Sequence, residues 1–98
     1  MPTMKVRLIK HLKVIEDDGG IVEIRMWQVK QSPDKPHGFK YSLAYIVGGV
    51  RVIGYDNAER RGDHRHYRDA TEKYEFKGLR QLANDFYMDV NKIKKGLL

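Results

Sequence analysis

Cysteine is absent from the 98-residue chain. That removes disulfides, iron–sulfur clusters, thiolate zinc sites and a cysteine nucleophile, and it fits a reducing cytoplasm. Proline is scarce, three residues in all. Two of them, Pro33 and Pro36, fall in the stretch Lys30–Gly38 and bar it from being a central strand. No apolar run approaches the ~18 residues of a membrane-spanning helix, and no signal-peptide core follows Met1. There is no P-loop, no GxGxxG opening a helix, no GxSxG elbow and no HExxH motif. No cofactor is therefore expected, and a small-molecule substrate is not indicated. Helix-turn-helix, zinc-finger and RNP signatures are also missing, so sequence-specific DNA reading is not expected. Negative charge is in short supply: 13 Asp+Glu face 19 Lys+Arg, a formal net charge of +6. This balance turns the expected partner toward phosphates, nucleic acid or an acidic protein. The length suits a single domain over residues 1–98 with one modest core.

The apolar pattern predicts two hairpins and a helix. Met4–Ile15 is ambiguous by itself, but Asp17-Asp18-Gly19-Gly20 behind it reads as a hairpin turn. Ile21–Val29 then alternates, with Val22, Ile24 and Met26 on one face and Glu23, Arg25 and Trp27 on the other. Phe39–Val47 alternates cleanly, Gly48-Gly49 is a tight turn, and Val50–Asp56 follows. Strict alternation there sets Val50, Val52 and Gly54 against Arg51, Ile53 and Tyr55. Asn57–Thr71 shows no apolar period and reads as a loop of about fifteen residues, a length usual for functional or mobile connections. Tyr74 and Phe76 suggest a short strand. Leu79, Leu82, Phe86, Val90 and Ile93 step by three or four and form one helical stripe, which places Asp85 and Asp89 on the outer side. Lys92, Lys94 and Lys95 suit the carbonyl end of the helix dipole, and Gly96 terminates it. The expected class is α+β: an antiparallel sheet of four to five strands built from two hairpins, with a C-terminal helix packed on one face. One helix cannot cover two sheet faces, so the other face is a candidate partner surface.

The densest chemistry lies in residues 60–68. Arg60, Arg61, Arg65 and Arg68 flank Asp63, His64, His66 and Tyr67. Four arginines and no lysine occur here, although the chain as a whole has eleven lysines and eight arginines. The planar arginine fork suits bidentate phosphate contacts. In an extended segment His64 and His66 share a face. Two imidazoles with reference pKa values of ~6.5 supply one acid and one base near neutrality. With arginines to hold the phosphate, these are the parts of metal-free RNA cleavage, and Asp63 is the candidate that orients an imidazole. His-x-His is also a metal-ligand spacing, with Asp63, Asp56 or His37 available as a third donor. Supporting positions are His37, Tyr41, Tyr55, Asp56, Asn57 and Tyr67, with Lys40 as a further phosphate contact. The aromatic residues can stack bases, although strand-spaced aromatics are more often core. The alternative is a non-enzymatic binding module whose basic loop docks nucleic acid or an acidic protein.

Three pieces then combine: His37-Gly38-Phe39-Lys40-Tyr41, Gly54-Tyr55-Asp56-Asn57 and Gly62-Asp63-His64-Arg65-His66. In that order, between "DDGGIVEIRMWQV" and "LRQLANDFYMDV", they resemble the TumE-type toxin family over residues 5–91. Asp18-Gly19-Gly20 stands where a Gly-Ser-type turn is expected, a change confined to a hairpin turn. The resemblance implies the growth-inhibiting half of a prokaryotic toxin–antitoxin pair. Its neutralising partner would be encoded beside it and is typically a helix-turn-helix antitoxin.

Overall fold

The computed structural model describes residues 6–58 and 60–98. Met4 and Lys5, the start of the expected first strand, lie outside that range, as does Glu59 in the expected long loop. The elements are β1 (Arg7–Ile15), β2 (Ile21–Gln28), β3 (Phe39–Val47), β4 (Val50–Asp56), β5 (His64–Tyr67), β6 (Ala70–Lys73) and α1 (Leu79–Lys94). The strands form one antiparallel sheet in sequential order, β1 to β6. Gly48 and Gly49 both adopt positive φ, 58° and 78°, which the two-residue β3–β4 turn requires and which glycine alone takes without a steric penalty.

The α+β class and the C-terminal helix stand, but among the described residues the sheet has six strands, not four to five. β5 lies inside the stretch expected to be a loop, and β6 runs across its end, from Ala70 to Lys73. β5 and β6 are four residues each, HRHY and ATEK. Neither carries an apolar alternation, so the period that marks a strand is missing. Ladder bonds hold them: β5 pairs with β4 from Ile53↔Tyr67 to Asp56↔His64, and β6 pairs with β5. The turn between them sets Arg68 at φ 51°, with its N–H donating to the Val52 carbonyl at 2.9 Å. The strand expected around Tyr74 and Phe76 ends instead at Lys73.

The sheet has two unlike faces. Val22, Ile24 and Met26 of β2, Tyr41, Leu43 and Tyr45 of β3, and Ile53 and Tyr55 of β4 are buried. They meet Leu82, Phe86 and Val90 of α1 in one core, the stripe the helical period predicts. The helix packs on β4, and Lys94 Nζ reaches Glu16 Oε2 at 2.6 Å to tie its end to the β1–β2 turn. The outward placement of Asp89 does not hold: it is buried against the sheet. Tyr55 donates its hydroxyl to Asp89 Oδ2 at 2.5 Å and Arg65 Nε donates to the same oxygen at 2.7 Å. Asp85 likewise accepts the Tyr74 hydroxyl at 2.5 Å. Polar groups on the sheet and just beyond β6 widen the buried side of the helix beyond its apolar stripe.

Candidate active site

The cleft lies on the sheet face that α1 leaves open. Strand pairing aligns Arg25, Ser42, Asp56, His64 and Lys73 in one row across β2 to β6. The neighbouring row runs Glu23, Ala44, Gly54, His66 and Thr71. A bulge in β4 adds one residue to this face. Tyr45 pairs with Ile53 but Ile46 pairs with Arg51, so Val52 is the extra residue. Strict alternation puts Arg51 beside Ile53 and Tyr55, on the helix side. The bulge turns it onto the face of Asp56, a common use of bulges near sites.

Arg51, Asp56, Ala58, Arg61, His64, His66 and Thr71 line a cleft of about 210 Å³. That is below the ~300–1,000 Å³ of sites that enclose a whole small molecule. It has room for part of a larger ligand rather than for a whole one. The two imidazole rings lie 6.4 Å apart, centre to centre. Gly54 lets the Arg51 side chain lie flat against the sheet: a Cβ there would sit 3.0 Å from Arg51 Cδ and 3.1 Å from its Nε. Arg51 Nη1 is 3.7 Å from Asp56 Oδ2.

The hydrogen bonds give the histidines different roles. His64 Nδ1 lies 3.0 Å from the Gly62 carbonyl oxygen, which can only accept, so the proton is on Nδ1. In the neutral form of the ring, Nε2 then offers a lone pair. His66 Nε2 is enclosed, 3.0 Å from Asp56 Oδ2 but without the alignment of a hydrogen bond. Its Nδ1 is 3.1 Å from Thr71 Oγ1 at the exposed rim. Asp56, not Asp63, is thus the carboxylate beside an imidazole of the cleft.

Asp63 serves a different histidine. The His37 ring accepts the Phe39 N–H at Nδ1, 3.1 Å, so its Nε2 carries the proton and donates to Asp63 Oδ1, also 3.1 Å. Tyr41 donates its hydroxyl to the same oxygen at 2.6 Å. Burial first, and then this carboxylate, hold the Tyr41 hydroxyl well above its ordinary range. Phe76 closes over His37, ring centres 4.0 Å apart. The cluster latches residues 60–63 to the turn before β3. Asp34 adds a second tie, accepting the Arg60 N–H at 3.0 Å.

Arg65 points to the helix side, where it is held by Asp89 and by Glu72, at 3.0 Å. The Asp89 hydrogen bond above all raises its already high pKa. Tyr55 joins that cluster, its hydroxyl raised by burial and then by Asp89. These residues fix β5 to α1 and lie away from the cleft. Asn57 is buried and acts as a piece of backbone: its Oδ1 accepts the Tyr41 N–H at 3.0 Å, and its Nδ2 donates to the Phe39 carbonyl at 2.8 Å. It extends the β3–β4 ladder where β4 ends. Tyr67 packs against the core edge, with Arg68 over its ring at 5.5 Å. Arg60 and Arg68 are exposed, and Lys40 shares the open face with its pairing partner Trp27. Of the four arginines in residues 60–68, Arg61 lines the cleft. Arg51 and Thr71, which the sequence reading passed over, complete it. Among the described residues no three His, Asp or Glu side chains converge as metal ligands.

A family model described as Toxin TumE matches residues 5–94. The chain belongs to the TumE toxin family. No curated protein and no solved structure matches it. As a TumE-family member it is the toxin component of a toxin–antitoxin system, with an antitoxin as its partner. Among the described residues no helix is long and apolar enough to cross a membrane.

Proposed function

We propose that this TumE-family toxin is a metal-independent ribonuclease acting in the cytoplasm, held in check by a helix-turn-helix antitoxin. One observation carries the reading. An imidazole with a free Nε2 and a second imidazole backed by a carboxylate share a small cleft with two arginines. His64 Nε2 takes the proton of the ribose 2′-hydroxyl. The 2′-oxygen attacks phosphorus, and the bond from phosphorus to the 5′-oxygen breaks. His66, as imidazolium, gives its Nδ1 proton to that leaving oxygen, while Asp56 faces the positive ring. Arg51 and Arg61 balance the charge that builds on the phosphate oxygens. The products are a 2′,3′-cyclic phosphate and a 5′-hydroxyl.

The test is cleavage of single-stranded RNA by purified protein in excess chelator. Replacing either histidine by alanine is expected to slow cleavage by ~10²–10⁴-fold, the range of a general acid or base, with a thermal melt confirming the fold. Cleavage that requires an added metal, or that survives His64→Ala, would refute the mechanism. So would an inert wild-type protein whose His64→Ala/His66→Ala variant still arrests growth in cells.

A further inference from the structure

We propose that the substrate is single-stranded RNA lying across the open sheet face, perpendicular to the strands, with a binding subsite on β2 far from the reacting phosphate. The inference rests on the cleavage reading for the cleft and adds to it the path of the chain on either side. The row through the cleft does not stop at His64. It continues to Lys73 on one side and, through Asp56 and Ser42, to Arg25 on the other. Arg25 lies three strand spacings from His64, ~14 Å, a reach that only a polymer spans from the cleft. Trp27 stands two residues along β2 on the same face, half-buried.

Cations outnumber carboxylates on this face. Lys13, Arg25, Lys40, Arg51 and Lys73 share it with Glu23 and Asp56, whereas Asp85 and Asp89 are held on the helix side. Arg25 is paired with Glu23 at 3.4 Å, but Arg25 is exposed and Glu23 only half-buried, and pairs near the surface contribute little. A phosphate can displace the contact. A cation row beside an aromatic platform is how single strands are gripped, by phosphate pairing and base stacking. A duplex keeps its bases inside and leaves Trp27 nothing to stack on.

The test uses a fluorescently labelled 2′-O-methyl hexanucleotide, which lacks the attacking hydroxyl and reports binding without cleavage. Trp27 is the only tryptophan, so its emission reads stacking directly. Binding is expected to quench Trp27, and the same sequence as a duplex is expected to bind at least tenfold more weakly. Arg25→Gln and Lys73→Gln, both at exposed positions, should each weaken hexanucleotide binding and lower the salt slope by about one, with thermal midpoints unchanged. The track is overturned if the duplex binds as tightly, if Trp27 emission is unaffected, if neither variant changes affinity, or if hexaglutamate competes as well as the oligonucleotide. A protein that shows these binding effects but cuts no RNA retains the track and refutes the cleavage mechanism. One that cuts RNA while Arg25→Gln and Lys73→Gln bind normally retains the mechanism and refutes the track.

Discussion

Gly54→Ala separates activity from stability in a way the structure makes quantitative. The added Cβ would lie 3.0 Å from Arg51 Cδ, 3.1 Å from Nε and 3.3 Å from Cζ. Carbon atoms rest ~3.5–4.0 Å apart, so the arginine must lift from the sheet by roughly 0.5–1 Å. The obstacle is the outer half of a flexible, 45%-exposed side chain, and the Gly54 backbone lies outside the left-handed region. Gly54 is itself buried, but because the obstacle can move, the cost to the fold is expected near ~1 kcal/mol, the low end for overpacking. The cleft accommodates alanine less well. A hydrogen bond to a charged group contributes ~1.5–3 kcal/mol, and on the proposed mechanism losing part of an Arg51 contact to the phosphate corresponds to about a tenfold drop in kcat/KM. The assay is a double-mutant cycle: Gly54→Ala, Arg51→Ala and the pair, each measured for RNA cleavage and thermal midpoint. Gly54→Ala should be harmless once Arg51 is gone. A further loss in the Arg51→Ala background, or full activity in Gly54→Ala itself, would refute the claim that Gly54 exists to seat Arg51.

Asp89→Ala leaves Arg65 and the Tyr55 hydroxyl without their shared partner and should cost ~2–4 kcal/mol, below the full buried-pair loss because Glu72 still holds Arg65; urea unfolding measures it. Asn57→Ala orphans the buried Tyr41 N–H and the Phe39 carbonyl, an expected ~2–4 kcal/mol, and should loosen amide-exchange protection at the start of β3. The hydroxyls of Tyr41, Tyr55 and Tyr74 are all raised above 10.0, by burial first and then by Asp63, Asp89 and Asp85. The folded chain keeps these protons where the unfolded chain releases them. Their contribution is therefore complete below pH ~10 and falls as pH rises above it. Ultraviolet titration should show these three ionising only with unfolding, and reversible ionisation of all six tyrosines in the folded protein would contradict the packing.

The hairpins were readable because one face of each strand is buried and the other is not. Val22, Ile24 and Met26 against Glu23, Arg25 and Trp27 is a period that water imposes. β5 and β6 obey the same geometry, but their residues are half-buried or exposed, so burial wrote no apolar signal into them. His64 and His66 were expected on one face, as i, i+2 neighbours of an extended chain must be, and they are there. Asp63 and Arg65 are next to them in sequence and across the sheet from the cleft in space, because alternation sends odd and even residues apart. Arg51 was lost to the bulge at Val52, which no single-residue pattern announces. The nearest sign was Gly54, a glycine inside a strand, which marks a bulge or a close approach.

The same alternation explains how so basic a chain folds while presenting two imidazoles in the cleft. In β5 the side chains alternate between two tasks. Arg65 and Tyr67 face the helix side, where Arg65 is bound by Asp89 and Tyr67 packs against the core; His64 and His66 face the cleft. The strand is too short and too polar to hold its place by burial, so the Arg65–Asp89–Tyr55 cluster anchors it from behind. Positioning of the two imidazoles therefore depends on an ion pair on the opposite face of the sheet. A partner that pulled Arg65 from Asp89 would disturb the histidines without touching them, whereas a change at the cleft rim, such as Thr71→Ala, leaves the anchor intact.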